Sequence, residues 1–141
     1  MCMMVYIGSD NPLPIIEYQG EESSICTSRI ADETHGDDNF AKTKLTKKYK
    51  YSIGSWQGCS CGFHFDENCA GFSEEDNERG RKSVKALFKY IAENVEGDHC
   101  ELMSFWAGEG MNEPDGVIDI KNLVLGDSFE LLEGQYVTVK K

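Results

Sequence analysis

The 141-residue sequence lacks any long apolar run and has little positive charge, and these two shortages exclude several classes of protein. No apolar stretch approaches the ~18 residues that span a bilayer, so we expect no transmembrane helix and no membrane partner. Fourteen Lys and Arg stand against 25 Asp and Glu, which gives a formal net charge of −11. Because phosphate backbones are bound through concentrated positive charge, we also expect no nucleic-acid partner.

Export and lipidation signals are missing as well. The first eight residues have no basic segment, and their apolar stretch is too short for a signal peptide. Position 2 is Cys rather than the Gly of a myristoylation motif, and the sequence has no Asn-x-Ser/Thr sequon. We therefore expect a cytoplasmic protein whose six cysteines are thiols or metal ligands rather than a disulfide framework.

The apolar content is sufficient for one folded domain. Leu, Ile, Val and Phe account for 31 of the 141 residues. This share lies just above the ~20% below which a strongly charged chain tends to be disordered. A chain of this length buries about two-thirds of its unfolded surface when it folds. We therefore predict a single domain over residues 1–141.

Hydrophobic periodicity predicts one long helix and several strands. Apolar residues recur at helical spacing from about 73 to 95, after the N-capping residue Ser73 and before Gly97, which is a typical helix end. Strand patterns cover residues 3–8, 25–30, 48–54, 100–107 and 117–125, and a hairpin turning at Gly134 joins 128–133 to 135–140. This order predicts an α+β fold, with a mostly antiparallel sheet and the helix packed on one face.

Two neighbouring segments differ sharply in charge. Residues 31–41 are acidic and aperiodic, which predicts a mobile loop. Five lysines follow within residues 42–50 and are typical of a solvated strand edge. The alternative is a nucleic-acid patch in which Tyr49 and Tyr51 stack on bases, and the negative charge of the whole chain disfavours it.

One segment could carry chemistry, because Cys59, Cys61, His64 and Cys69 fall within eleven residues. Cys59 and Cys61 project to the same face of an extended chain, and nearby glycines permit the turns that would bring His64 and Cys69 to them. Three thiolates and one imidazole form a tetrahedral zinc set, so these four residues are candidate metal ligands. A single residue between paired cysteines is shorter than the usual zinc spacing. Two other interpretations therefore stay open: Cys59 and Cys61 as a reversible redox pair, or as inert buried thiols.

Motifs of known catalytic sites are missing. The sequence has no nucleophile elbow, no phosphate-binding loop, no His-Glu-x-x-His and no dinucleotide fingerprint. We therefore predict no catalytic residues, no bound cofactor, and a non-catalytic protein that binds another protein or a small ligand. The alternative is a thiol-dependent or zinc-dependent protein that uses the Cys59, Cys61, His64 and Cys69 cluster with Cys2 as a further thiol. The oligomeric state is left open.

Two short motifs resemble a group of small bacterial proteins that have no assigned function. These are MCxxVYIxSDxPLP at residues 1–14 and GCxCGF at residues 58–63. The resemblance extends to both motifs and to the chain length. It implies a bacterial, cytosolic protein, and it implies no activity, cofactor or site residue.

Overall fold

Six strands form one sheet in the computed structural model, which describes residues 2–20, 23–108, 117–120 and 135–141. The strands are β1 (Met3–Ser9), β2 (Ile25–Arg29), β3 (Tyr49–Ser55), β4 (His99–Trp106), β5 (Val117–Asp119) and β6 (Gln135–Lys140). Their spatial order is β2-β3-β1-β4-β6-β5. Only β5 runs parallel to its neighbour, and the other adjacent strands are antiparallel. The predicted α+β class with a mostly antiparallel sheet is confirmed.

The long helix α1, residues Glu74–Asn94, covers one face of this sheet as predicted. It begins where the Ser73 side chain accepts a hydrogen bond from the Asp76 amide at 3.1 Å, and three acidic residues occupy its first turn. Its apolar stripe is buried against β1, β3, β4 and β6 and includes Val84, Leu87, Phe88 and Ile91. Most of the core therefore lies between this helix and the sheet.

A second helix, α2 (Gly36–Lys44), precedes the long helix in the chain and corrects the sequence prediction, which had one helix and a loop over 31–41. Ala41 and Leu45 are buried against the opposite face of the sheet, in a smaller cluster with Tyr6 and Phe105. The acidic residues that suggested a loop hold this helix in place, since Asp38 accepts a 2.6 Å hydrogen bond from the Tyr6 hydroxyl. The mobility predicted for this segment stays a prediction.

A buried carboxylate on β4 fixes the chain that follows α2. Glu101 accepts hydrogen bonds from the backbone amides of Thr46 and Lys47 at 2.9 and 2.8 Å, and from the hydroxyl of Tyr136. Because a buried charge is costly unless it is hydrogen-bonded, these contacts select one path for residues 45–47.

The predicted elements near the carboxyl end are described in part. The strand predicted over 117–125 is β5 at Val117–Asp119, and the second hairpin strand is β6. Ile120 is described and lies beyond the end of β5, whereas residues 121–125, the hairpin strand 128–133 and its turn at Gly134 lie outside the described residues. Among the helices that are described, none is long and apolar enough to cross a membrane.

Candidate functional site

The cysteine-rich segment forms a tight turn at the end of β3, followed by one turn of 3-10 helix at Ser60–Phe63. The Ser55 amide donates to the Cys59 carbonyl at 2.8 Å, and the Gly58 amide donates back to the Ser55 carbonyl at 2.9 Å. Gly58 has φ of +85°, a conformation that side chains rarely adopt, so this turn requires glycine. The Trp56 amide donates to the Ser83 hydroxyl at 3.1 Å, which ties the turn to α1.

Ser60 anchors the middle of the Cys-x-Cys motif to the sheet. Its buried hydroxyl accepts a 3.1 Å hydrogen bond from the Val5 amide and donates at 2.6 Å to the Ile53 carbonyl. Gly62 is equally constrained, because a Cβ there would clash with Ser55 Oγ and would lie 2.7 Å from Trp56 Nε1. The backbone that carries Cys59 and Cys61 is therefore held on both sides.

Four thiols from three distant parts of the sequence meet beside this turn. The Cys61 thiol interacts with the thiols of Cys59 and Cys2, and the Cys26 thiol lies close enough to Cys59 to be affected by its charge. The Cys26 thiol also donates to the Gly58 carbonyl at 3.6 Å. We refer to Cys2, Cys26, Cys59 and Cys61 as the thiol cluster.

Two thiols of the cluster have raised pKa values. Burial, and then the charge and hydrogen bonding of neighbouring thiols, raise the pKa of Cys61 to about 11, although the Met3 backbone amide partly opposes the shift. Burial also raises the pKa of Cys26. Because the thiolate is the nucleophilic form, these two thiols are protonated and weakly reactive at neutral pH. Cys2 and Cys59 are exposed to solvent.

The cluster opens into a cavity of about 570 Å³ next to strands β1, β2 and β3. Cys2, Cys26 and Cys59 line this cavity. Cys26 pairs with Gly54 across β2 and β3, and a Cβ at Gly54 would lie only 2.5 Å from the Cys26 sulfur. A side chain at position 54 would therefore collide with the Cys26 sulfur.

Residues 15–18 form one rim of the cavity. The Tyr18 hydroxyl donates to the Trp56 carbonyl at 3.1 Å, and its ring lies 3.3 Å from the position that a Cβ on Gly58 would take. The Ile16 carbonyl accepts a 2.8 Å hydrogen bond from the Thr27 amide on β2. Ile15 and Tyr18 are nevertheless 51% and 44% exposed, so the rim presents apolar surface to solvent.

The four predicted metal ligands do not share one environment. Cys59 and Cys61 interact with each other. The His64 ring packs against Phe72 and Trp106, with centroids 5.2 and 6.0 Å away, and Cys69 is exposed in the following turn. In the described part of the chain, no three His, Cys, Asp or Glu side chains form a group that could hold a metal ion. The four-ligand zinc site stays a prediction.

Sequence reasoning missed Cys26 as a neighbour of the motif. The contact arises because β2 and β3 are antiparallel, so Cys26, near the start of β2, lies beside the turn that follows the end of β3 and contains Cys59. The sequence around Cys26 does show which face of the strand it occupies, because Cys26 lies on the partly exposed side of a strand whose alternate residues are buried. That alternation does not show which strand pairs with β2, and so it could not predict the contact with Cys59.

The lysine-rich segment is engaged in local contacts. Lys47 pairs with Asp10 at 2.8 Å, and the Lys50 ammonium donates to the Lys42 carbonyl at 2.8 Å. Lys44 and Lys48 lie over the rings of Phe40 and Tyr49. The prediction that this segment does not bind nucleic acid stays untested.

In comparisons with protein-family models, curated proteins and solved structures, none matches this chain. The resemblance carried by residues 1–14 and 58–63 therefore stays an expectation. Any functional conclusion depends on the geometry of the thiol cluster and its cavity.

Proposed function

We propose that the protein is a non-catalytic binding protein whose ligand is a soft metal ion that is taken up by thiols at the cavity beside the Cys-x-Cys turn. The observation that carries this proposal is that Cys2, Cys26 and Cys59, from three separate segments, line one cavity, although they do not form a three-ligand group in this structure. Thiolates are the preferred protein ligands of soft d¹⁰ ions such as Zn(II) and Cu(I).

The surroundings of the cluster favour binding over catalysis. The cavity is lined mainly by apolar and small polar side chains, with Glu17 as its carboxylate among the described lining residues. A thiol nucleophile is usually activated by an adjacent base or cation, and the described residues that line the cavity include no His, Lys or Arg. A metal ion needs no such base, since it displaces the thiol proton itself.

A second candidate function is the zinc site predicted from Cys59, Cys61, His64 and Cys69. Its support is the interaction between Cys59 and Cys61, which both candidates share. The candidates differ in the remaining ligands, since one adds Cys2 and Cys26 whereas the other adds His64 and Cys69. That difference makes them separable by experiment.

Thiol mapping tests the proposal. The reduced protein is incubated with or without one equivalent of Zn(II) or Cu(I), alkylated under anaerobic conditions and analysed by peptide mass spectrometry. We expect metal to slow alkylation at Cys59 and Cys61 and to leave the exposed Cys69 unchanged. Protection of Cys69, together with loss of binding in Cys69→Ser, would establish the four-ligand zinc site instead. Equal alkylation rates at Cys59 with and without either metal would refute metal binding altogether.

A further inference from the structure

We infer that Cys26 and Cys59 form a reversible oxidation site, at which a low-molecular-weight disulfide such as oxidised glutathione joins their sulfur atoms in a disulfide bond. This pairing goes beyond the proposed function and does not rest on it, because it concerns the reduced, metal-free protein. The sequence indicates Cys61 as the redox partner of Cys59, whereas the fold places Cys26 beside the turn that carries Cys59.

The Cys26 sulfur lies against the backbone that leads directly into Cys59. Its thiol donates to the Gly58 carbonyl at 3.6 Å, and one amide bond joins that carbonyl to residue 59. Standard backbone dimensions then place the Cys26 sulfur within about 6.5 Å of the Cys59 Cα. Because bridged cysteines have Cα atoms ~4.4–6.8 Å apart, the bond requires rotation of the exposed Cys59 side chain rather than rearrangement of the sheet.

The turn holds Cys59 at the end of the strand that pairs with β2. The Ser55 amide and hydroxyl both donate to the Cys59 carbonyl, at 2.8 and 2.6 Å, and Ser55 is the last residue of β3. Gly54 pairs with Cys26, and a Cβ there would lie 2.5 Å from both the Cys26 sulfur and the Gly58 carbonyl oxygen. The sulfur and the turn therefore converge over the same glycine.

The other nearby cysteines are less suited to the bond. Cys2 precedes β1, and β3 lies between β1 and β2 in the sheet. Adjacent strands are ~4.8 Å apart, so β1 and β2 are separated by ~10 Å, which is more than a disulfide to Cys26 spans. A bond from Cys59 to Cys61 would close across Ser60 alone, and two hydrogen bonds to the sheet, at 3.1 and 2.6 Å, fix the Ser60 hydroxyl.

Oxidation begins at the more accessible thiol. Cys59 is exposed and lines the cavity of about 570 Å³ together with Cys26, so a small oxidant reaches it from solvent. Burial and, to a smaller extent, the charge of Cys59 raise the pKa of Cys26. Because the thiolate is the attacking form, Cys26 is the second thiol to react.

The bond forms by two exchange steps. The Cys59 thiolate attacks one sulfur of oxidised glutathione, whose S–S bond breaks, and one glutathione thiolate leaves. Cys26 then releases its proton to the buffer and attacks the Cys59 sulfur, which expels the second glutathione thiolate. The protein loses two protons and two electrons in total, and glutathione disulfide is reduced to two thiols. Excess reduced glutathione reverses both steps.

Disulfide mapping in glutathione buffers tests the inference. Reduced protein is equilibrated anaerobically with EDTA and rising fractions of oxidised glutathione, quenched with an alkylating agent, and digested with trypsin and Glu-C. Cys26 is the one cysteine of peptide 23–29, and Cys59 lies in peptide 51–67, apart from the other exposed cysteines. We expect these two peptides, joined through Cys59, to be the main oxidised product, and tandem mass spectrometry identifies the bonded sulfur.

Single variants test the order of reaction. Cys26→Ser should abolish the cross-link and leave glutathione bound to Cys59, whereas Cys59→Ser should abolish it and leave Cys26 unmodified. Cys69→Ser removes another exposed thiol and is the matched control, in which we expect the same yield of cross-link as in the wild type. Circular dichroism shows whether each variant is folded, and Cys26→Ala provides a second variant if Cys26→Ser does not fold.

Several results would overturn the inference. A wild-type protein in which Cys59 is joined to Cys2 or Cys61, or in which glutathione persists on Cys59, would show that Cys26 is not its partner. An equal yield of the cross-link from Cys26 to Cys59 in the urea-unfolded chain would show that the fold does not bring the two thiols together. Metal binding is measured on the reduced protein and stands or falls separately.

Discussion

Removal of the Glu101 carboxylate should release the chain that connects α2 to β3. The side chain is 7% exposed, and its oxygens accept hydrogen bonds from the Thr46 and Lys47 amides at 2.9 and 2.8 Å. They also accept from the Thr46 hydroxyl at 3.0 Å and from the Tyr136 hydroxyl. Glu101→Ala removes all of these acceptors, whereas Glu101→Gln keeps one oxygen for the two amides and offers an NH₂ group to the two hydroxyls.

The loss of stability is limited because the groups that donate to Glu101 can find other hydrogen-bond partners when it is removed. A hydrogen bond to a charged group is worth ~1.5–3 kcal/mol, but Thr46 is exposed and can turn to water, and the Tyr136 hydroxyl also lies 3.1 Å from the Lys44 carbonyl. We therefore expect Glu101→Ala to lower the free energy of unfolding by ~2–4 kcal/mol and Glu101→Gln by ~1–2 kcal/mol. Urea unfolding followed by tryptophan fluorescence measures both values.

An exposed carboxylate provides the control for this prediction. Glu93 forms only a 3.8 Å surface pair with Lys89, so Glu93→Ala should cost less than ~0.5 kcal/mol. A cost below ~1 kcal/mol for Glu101→Ala, or a larger cost for Glu101→Gln than for Glu101→Ala, would refute the reasoning. The first result would mean that burying the charge costs as much free energy as its hydrogen bonds contribute, and the second would mean that a neutral amide fits the site worse than a methyl group does.

Four further predictions concern stability, local motion and binding. Phe88→Ala should lower the free energy of unfolding by ~3–5 kcal/mol because it leaves a cavity under α1, and Lys89→Ala should change it by less than ~0.5 kcal/mol in the same urea titration. Burial raises the pKa of Cys100 from 9.0 to about 12, so its contribution to stability is fully present below pH 9 and is lost as pH rises towards 12. The free energy of unfolding, measured at a series of pH values, should fall over this range, and the fall should be smaller in Cys100→Ala. Hydrogen exchange should be fast at residues 31–35 and slower from residue 39 onward, where α2 amides are bonded, and uniform protection over 31–41 would contradict the predicted mobility. In a filter-binding assay at physiological salt we expect no micromolar affinity for duplex DNA or RNA, and such affinity, if abolished by neutralising the lysines of 42–50, would overturn this prediction.

The two helices show what sequence patterns can and cannot predict. The long helix α1 was predictable because its signals are local: a capping serine, an acidic first turn and an apolar stripe over several turns. The shorter α2 has only nine residues, too few for an apolar stripe over several turns, and Ala41 is the one buried residue within it. Its stability comes from distant partners, including the Tyr6 hydroxyl that binds Asp38, and no local pattern records them.

The candidate site divides in the same way. Cys59 and Cys61 were expected to share a face of an extended chain, but Cys61 lies in the 3-10 turn, so their interaction depends on the turn instead. The contribution of Cys26 was not predictable, because it depends on the register of β2 against β3. His64 was expected to join the cysteines, and this stays a prediction; the His64 ring follows the 3-10 turn and lies against Phe72 and Trp106. The sequence spacing of the cysteines and His64 does not determine the direction in which the chain leaves the turn.

Three glycines without positive φ explain why the turn can bring the thiols together. A Cβ at Gly80 on α1 would lie 3.1 Å from the Gly62 carbonyl, and a Cβ at Gly62 would lie 2.7 Å from Trp56 Nε1. A Cβ at Gly54 would lie 2.5 Å from both the Cys26 sulfur and the Gly58 carbonyl. Helix, 3-10 turn and strand therefore approach one another closely: a Cβ would be too close to its neighbours at Gly54 and Gly62, and at Gly80 the neighbours would have to move slightly. Because close packing transmits such constraints, the spacing of the thiols is a property of the core as well as of the Cys-x-Cys motif.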